Sequence, residues 1–433
     1  MHQACRDNIA SFQERFKNIE QETRERAFAV WREEIIKRLE AIDKEATAML
    51  RREKPSYQSK GMVSCRVVSS AGLIKFRIHR LYDPQKKSTL YPFQYVLGKR
   101  HTVTTELKEK AILVATHLPY ERTSKLLEKL LGVGLGKMRI WDSVQHSGKA
   151  IRREIDRRRK KILNDGDDRF VSVSEPEQLR GKPVVVEADG TFIHVRQRVR
   201  QDLLTEEVRE DQLEHHRLAE VKVGVMFRGV IQRSRTRKET LCPTVYAEIA
   251  RVRDFGERWY AKCRSYGYTP RQQTTFLSDG SVGLRLLRDD HFPTATAVLD
   301  LYHLKRSLTN ALPPEIVSVI VTKLCRGHTE EAFAELERIA ASSPRVVRNS
   351  VNGVIRYLHN NRDALKYHRT ALRGSGVIEK VVDNLVKRRF KRQGMSWSVE
   401  GANNLLAVRS AYFDYASKQK FRTLQLPLLT VPE

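Results

Sequence analysis

The sequence predicts an α/β protein with a sheet core, a helical insertion within that core, and a helical and hairpin region in front of it. Three observations lead there. Short apolar, β-rich runs recur between residues 183 and 299. Amphipathic stretches of helical period separate the later ones. The segment from Leu301 to about His368 is helical in pattern and too long to be a simple connection.

From about Asp7 to Met49 the chain holds no Gly or Pro. Phe12, Phe16 and Ile19 recur at helical spacing, as do Trp31, Ile35 and Leu39. One or two helices follow, with the mixed charges read as a solvated face and a partner helix as the other option. Between Met62 and Tyr82, Val63, Cys65 and Val67 and then Ile74, Phe76 and Ile78 alternate with polar residues around Ser70-Ala-Gly72. That is a β-hairpin pattern, with Lys75, Arg77 and Arg80 on its second strand.

Helices are expected over Thr105–Thr116, Tyr120–Leu131 and Lys137–His146, with Gly132-Val-Gly-Leu-Gly136 as a turn. Two helices, a Gly-bearing turn and a third helix with Lys137 and Arg139 near its start resemble a helix-turn-helix. The run Arg152–Lys161 is basic, and Asn164–Gln178 reads as a linker.

The middle of the chain alternates. Strands are expected at Pro183–Glu187, Ala219–Phe227, Val230–Arg235, Thr274–Leu277 and Ala295–Leu299. Helices are expected at Pro243–Tyr266 and Val282–Asp289. This β-β-β-α-β-α-β order is that of a ribonuclease-H-like fold. A last helix, Val377–Arg389, carries Ile378, Val381, Val382, Leu385 and Val386 on one stripe and would close the core. The boundaries that follow are 1–55 for N-terminal helices (a candidate dimerisation element), 56–103 for the hairpin region, 104–165 for the helix-turn-helix-like DNA-binding domain, 180–305 with 370–415 for the core, and 306–369 for the insertion.

Composition narrows the function. The 433 residues carry a net charge of +28 with a pI near 10.0. A chain this basic meets a polyanion, most commonly a phosphate backbone. No apolar run approaches the about 20 residues that span a bilayer, and the first residues lack an apolar signal core. A cytoplasmic, nucleoid-associated protein with no membrane partner is expected. The five cysteines include no Cys-x-x-Cys pair, so a disulfide framework or zinc site is not expected.

Against this basic background, Val184-Val-Val-Glu-Ala-Asp189-Gly190 and Phe276-Leu-Ser-Asp279-Gly280 are apolar runs ending in Asp-Gly. Each alone reads as a turn. In this order, at the ends of the first and fourth strands, Asp189 and Asp279 read as catalytic acids. Glu379 borders the apolar stripe of the last helix and reads as the third acid. Glu400 in Trp397-Ser-Val-Glu-Gly is its rival. Carboxylates suit Mg²⁺ or Mn²⁺, and a pair of ions can activate one oxygen and stabilise another. Asp300 and His303 lie three apart at a helix start and share a face, with Asp300 also readable as an N-cap. Lys387, Arg388, Arg389, Lys391, Arg392 and Arg409 read as phosphate contacts. Trp397 reads as a core anchor or a base-stacking platform.

These motifs resemble the DDE transposases of bacterial insertion sequences, in the Mutator-like branch. The resemblance rests on Asp189-Gly190, on Ser278-Asp279-Gly280-Ser-Val-Gly283-Leu284, on Asp300-Leu-Tyr-His303, and on Gly374-Ser-Gly-Val-Ile-Glu379 followed by Arg388, Gly394-Met-Ser-Trp397, Gly401-Ala402 and Arg409. The hairpin with Gly72 and Tyr82 is similar to the ISLre-type branch. The similarity spans about Ser64 to Tyr412. It implies that Asp189, Asp279 and Glu379 are metal ligands and that His303 supports them. It implies binding of terminal inverted repeats and target DNA, two Mg²⁺ or Mn²⁺ ions, and a homodimer or higher assembly. Asp300 departs from the Cys common at that place, which leaves its role open. A nuclease of the same fold, or an inactive DNA-binding protein of transposon origin, are the alternatives.

Overall fold

The computed structural model describes residues 3–94, 102–166, 182–196, 217–235, 238–370, 374 and 376–415. The expected linker at 164–178 lies largely outside them. The protein is a mixed α/β chain that divides at Ser143/Val144 into two compact units.

In the first unit the N-terminal helical region is a single helix, α1 (Gln3–Glu53). A three-stranded antiparallel sheet follows, made of β1 (Gln58–Ser69), β2 (Gly72–Asp83) and β3 (Ser88–Leu90). Gly72 sits at φ 111°, and the Ser69↔Gly72 pair closes the hairpin. Val67, Ile74, Phe76 and Ile78 form its buried face, covered by Ile35, Ile36 and Leu39 of α1. Helices α2 (Thr105–Ala115), α3 (Tyr120–Leu131) and the start of α4 (Lys137–Leu163) come next. Gly132 ends α3 in the left-handed region at φ 65°, where a β-carbon would be strained. The helix expected to stop at His146 runs on to Leu163, so the basic run Arg152–Lys161 is helical.

The second unit is built on a five-stranded sheet. Its strands are β4 (Val184–His194), β5 (Leu218–Phe227), β8 (Thr244–Glu248), β9 (Thr274–Ser278) and β10 (Thr296–Leu299), in the order β10-β9-β4-β5-β8. β4 pairs antiparallel with β5 and parallel with β9. β5–β8 is antiparallel and β9–β10 parallel. The sheet is therefore mixed.

The structure departs from the sequence expectation at two strands. The third strand of this sheet is Thr244–Glu248, not Val230–Arg235. Every residue of Thr244-Val-Tyr-Ala-Glu is buried, so both strand faces are covered. Val245 and Ile249 mimic a helical stripe only because they fall four apart, and the helix α5 begins at Val252 and ends at Ser265. Val230–Gln232 (β6) is half exposed and pairs with Lys238–Thr240 (β7) in a two-stranded ribbon. Secondly, β4 does not stop at Glu187. Its antiparallel ladder with β5 continues from Asp189↔Val223 to His194↔Leu218, which keeps Asp189-Gly190 inside the strand rather than in a turn.

Helices α5 and α6 (Val282–His291) cover the sheet through Phe255, Trp259, Leu284 and Leu287. After β10 come α7 (Leu301–Thr309), α8 (Pro314–Arg326), α9 (Thr329–Ser342) and α10 (Arg345–Asn360). Two 3₁₀ turns follow, at Arg362–Ala364 and Tyr367–Arg369. These helices bury Leu304, Leu308, Ile320, Leu324, Leu336 and Val351 together. The chain returns as α11 (Gly376–Val382), a π turn (Asp383–Lys387) and α12 (Arg388–Phe390). The last described helix is α13 (Val399–Phe413). Ser398 caps it by accepting a 3.1 Å bond from the Gly401 amide.

Candidate functional site

The pairing of β4 with β9 positions the first two acids. The offset that sets Val184 against Thr274 and Glu187 against Leu277 carries Asp189 to Asp279. Both acids thus lie just past the carboxyl end of the same parallel pair, where open α/β sheets form crevices. Asp189 accepts a 2.7 Å bond from the Gly190 amide. Burial pushes its carboxyl up to about 6. The Gly190 amide opposes this, the negative charge of Asp279 adds to it, and His303 and Lys387 pull it back.

Asp279 is held by its loop. Its Oδ1 accepts from the Ser281 amide at 2.9 Å, and its carbonyl accepts the Tyr357 hydroxyl at 2.6 Å. Gly280 sits at φ 80°, and a β-carbon there would lie 2.6 Å from both Asn361 Oδ1 and Leu299 Cδ1. Only glycine fits so close an approach. Asp279, Arg285, His303, Arg356, Tyr357 and Asn360 are among the residues lining a cleft of about 440 Å³.

Asp300 is fully buried and caps α7, its Oδ1 accepting from the amides of Tyr302 at 2.7 Å and His303 at 2.9 Å. The capping geometry is therefore present. His303, half-buried in the first turn of α7, borders the cleft.

Sequence reasoning missed Glu187. It stands two residues before Asp189, so both carboxyls leave the same face of β4. It is 1% exposed, and its Oε2 accepts the Ile378 amide at 2.7 Å. Burial pushes its carboxyl up to about 8, and the charges of Asp300 and Glu379 act in the same direction. The protonated form therefore prevails at pH 7. An acidic residue inside Val184-Val-Val-Glu-Ala was the available signal. Glu379 follows Ile378 directly, in the first turn of α11, with its side chain exposed. Glu400 is exposed in the first turn of α13.

The basic residues separate into two groups. Lys387 and Lys391 are exposed, and both act electrostatically on Asp189. Arg388 is exposed and ion-paired with Asp383 at 2.7 Å, while Arg392 is half-buried and donates to the Arg388 carbonyl at 2.9 Å. Arg389 and Arg409, expected at a phosphate surface, are each 1% exposed. Arg389 stacks over Trp397 at 5.1 Å. Arg409 donates to the Leu385 carbonyl at 2.7 Å and to the Asn384 carbonyl, and burial with nearby Arg389 and Arg392 depresses its guanidinium to about 9. Both are internal braces. Trp397 also packs on Phe390 at 4.8 Å, and its main chain bridges Val195 at the end of β4. Of the two readings of Trp397, its surroundings are those of an anchor.

In the first unit Lys137 and Arg139 are exposed in the opening turn of α4, with Arg139 donating to the Thr102 hydroxyl.

The donor set at Asp189 and Asp279 is hard oxygen, and their mutual repulsion is the kind a divalent cation relieves. Among the described residues no three His, Cys, Asp or Glu side chains are gathered as ligands of one ion. The chemistry of these two donors suits a hard cation, and Glu379 is not gathered with them.

Fold and site together define a mixed α/β protein with a carboxylate pair at the end of its central parallel strands and a helical insertion beside it. The chain belongs to the uncharacterised protein family UPF0236, whose profile matches residues 6–425. It is 23% identical over 376 residues to the "UPF0236 protein in vanSb 3′ region" of Streptococcus gallolyticus, covering 81% of this chain and 74% of that one. Among the described residues no helix is long and apolar enough to cross a membrane.

Proposed function

We propose that the chain is a divalent-metal-dependent DNA transposase with a ribonuclease-H-like core. It would bind the ends of its element, cleave the DNA and join 3′-hydroxyl ends to a target. The observation that carries this reading is the Asp189–Asp279 pair, each two residues past the last paired position, Glu187↔Leu277, of adjacent parallel strands in a sheet ordered β10-β9-β4-β5-β8. That strand order, with an antiparallel β5, supports the ribonuclease-H-like assignment. The helices inserted between β10 and α11, and the net charge of +28, support the same reading.

In this reading Asp189 and Asp279 hold Mg²⁺ or Mn²⁺, and Glu379 completes the site on binding, with Glu400 the rival third acid. Bound metal would supply Lewis-acid stabilisation of charge on the reacting phosphate. Lys387 and Lys391 orient the backbone beside Asp189. His303 partly offsets the negative charge of Asp189. Lys137 and Arg139 contribute to end recognition.

The test is an assay of the purified chain on plasmid carrying the DNA that flanks its own gene, with Mg²⁺ or Mn²⁺. Asp189→Asn and Asp279→Asn are expected to abolish cleavage and retain DNA binding. Normal cleavage by either variant removes the reading. Nicked DNA without joined products favours the nuclease instead. DNA binding with no cleavage by the unaltered protein favours an inactive transposon-derived binder.

A further inference from the structure

Helix α1 is covered along only part of its length. Ile35, Ile36 and Leu39 sit on the hairpin core, Arg32 donates to the Ala71 carbonyl at 2.8 Å, and Asp43 accepts the His79 amide at 2.8 Å. Residues 8–27 are exposed throughout. Among them Ile9, Phe12, Phe16 and Ile19 are 42, 65, 64 and 59% exposed. Apolar side chains this large, on one stripe, are costly to leave in water.

Their spacing identifies what covers them. Steps of three, four and three residues make Ile9 and Phe16 the a positions and Phe12 and Ile19 the d positions of two heptads. We infer that this stripe is the seam of a parallel two-stranded coiled coil between two copies of the chain. Charge complementarity fits a second copy held parallel. In this frame Arg15 is at g and Glu20 at e. A parallel, in-register pair sets each Arg15 beside Glu20 of the partner subunit, twice by symmetry. The stripe breaks at Thr23 and Arg26 before Val30, itself 67% exposed. A seam this short makes association depend on concentration. The inference is independent of the chemistry proposed above.

Sedimentation velocity of the full chain over a concentration series tests it. The unaltered protein is expected to move from monomer to dimer. Phe12→Asp combined with Phe16→Asp should hold it monomeric with its helical circular dichroism intact, since both side chains are exposed. Arg15→Glu or Glu20→Arg alone should weaken the dimer about tenfold, and the two together should restore it. A chain that stays monomeric at every concentration, or a dimer that survives the double aspartate change, overturns the proposal. Failure of the paired charge reversal to restore the dimer overturns the parallel seam.

Discussion

The hydroxyl of Tyr357 donates to the carbonyl of Asp279 across 2.6 Å, fastening the last long helix of the insertion to the loop that carries the second acid. Tyr357→Phe removes that bond while keeping the ring. It is expected to lower stability by about 1 kcal/mol, read from the urea midpoint. On the proposed function, DNA cleavage should fall as well, because the loop carries the second acid.

Two glycines, one in that helix and one in the loop it fastens, should respond in opposite directions. Gly280→Ala places a methyl group against Asn361 and Leu299 at φ 80°. It should destabilise by about 2 kcal/mol or more. Gly353 lies inside α10 with nothing within 4 Å of an added β-carbon. Gly353→Ala should stabilise by roughly 0.5–1 kcal/mol. Equal effects in chemical denaturation would contradict the described packing.

Glu187 sets a pH dependence. Its folded carboxyl lies near 8 against an ordinary 4.5, so the folded state holds more protons than the unfolded one in between. Its contribution is fully present below about pH 4.5 and is lost as pH rises through about 8. Asp189 adds the same sign between 3.8 and about 6. Urea unfolding in EDTA should therefore show the unaltered chain losing stability from pH 5 to 9. Glu187→Gln, which cannot ionise, should flatten that loss, and a parallel decline in both proteins would reject it.

A divalent cation that binds the folded site raises the melting temperature. Millimolar Mg²⁺ or Mn²⁺ should shift the unaltered protein upward by a few degrees and leave Asp189→Asn unmoved. Equal shifts in both would place the ion elsewhere.

The basic cluster after α11 should divide by burial. Arg409→Ala strips donors from the Leu385 and Asn384 carbonyls inside the core and should cost about 3 kcal/mol of stability. Lys387→Ala with Lys391→Ala should leave stability within about 0.5 kcal/mol. The pair should weaken DNA binding and lower its salt slope by about 2.

That division shows where the sequence was readable and where it was not. Apolar runs ending in Asp-Gly located Asp189 and Asp279 at the first and fourth strands because both signals are local. Thr244–Glu248 escaped because it is buried on both faces and so carries no alternation to distinguish it from a helix. Glu187 escaped because its partner, the Ile378 amide, is distant in the chain. Lys387-Arg-Arg389 reads as one surface cluster, yet within it Lys387 points out and Arg389 in. A run of like charge does not record which way each residue faces.

The ladder that pairs β4 with β9 ends at Glu187↔Leu277, two residues short of both acids. Up to that point main-chain hydrogen bonds set the offset; beyond it Asp189 stays in the ladder with β5, while Asp279 rides on a loop fastened by Tyr357. The smallest slip of β9 along β4 is one residue, and such a slip turns a side chain to the opposite face of the sheet. Substitutions in the surrounding helices can therefore shift Asp279 against Asp189 gradually, whereas the strand offset beneath the pair changes only in whole residues.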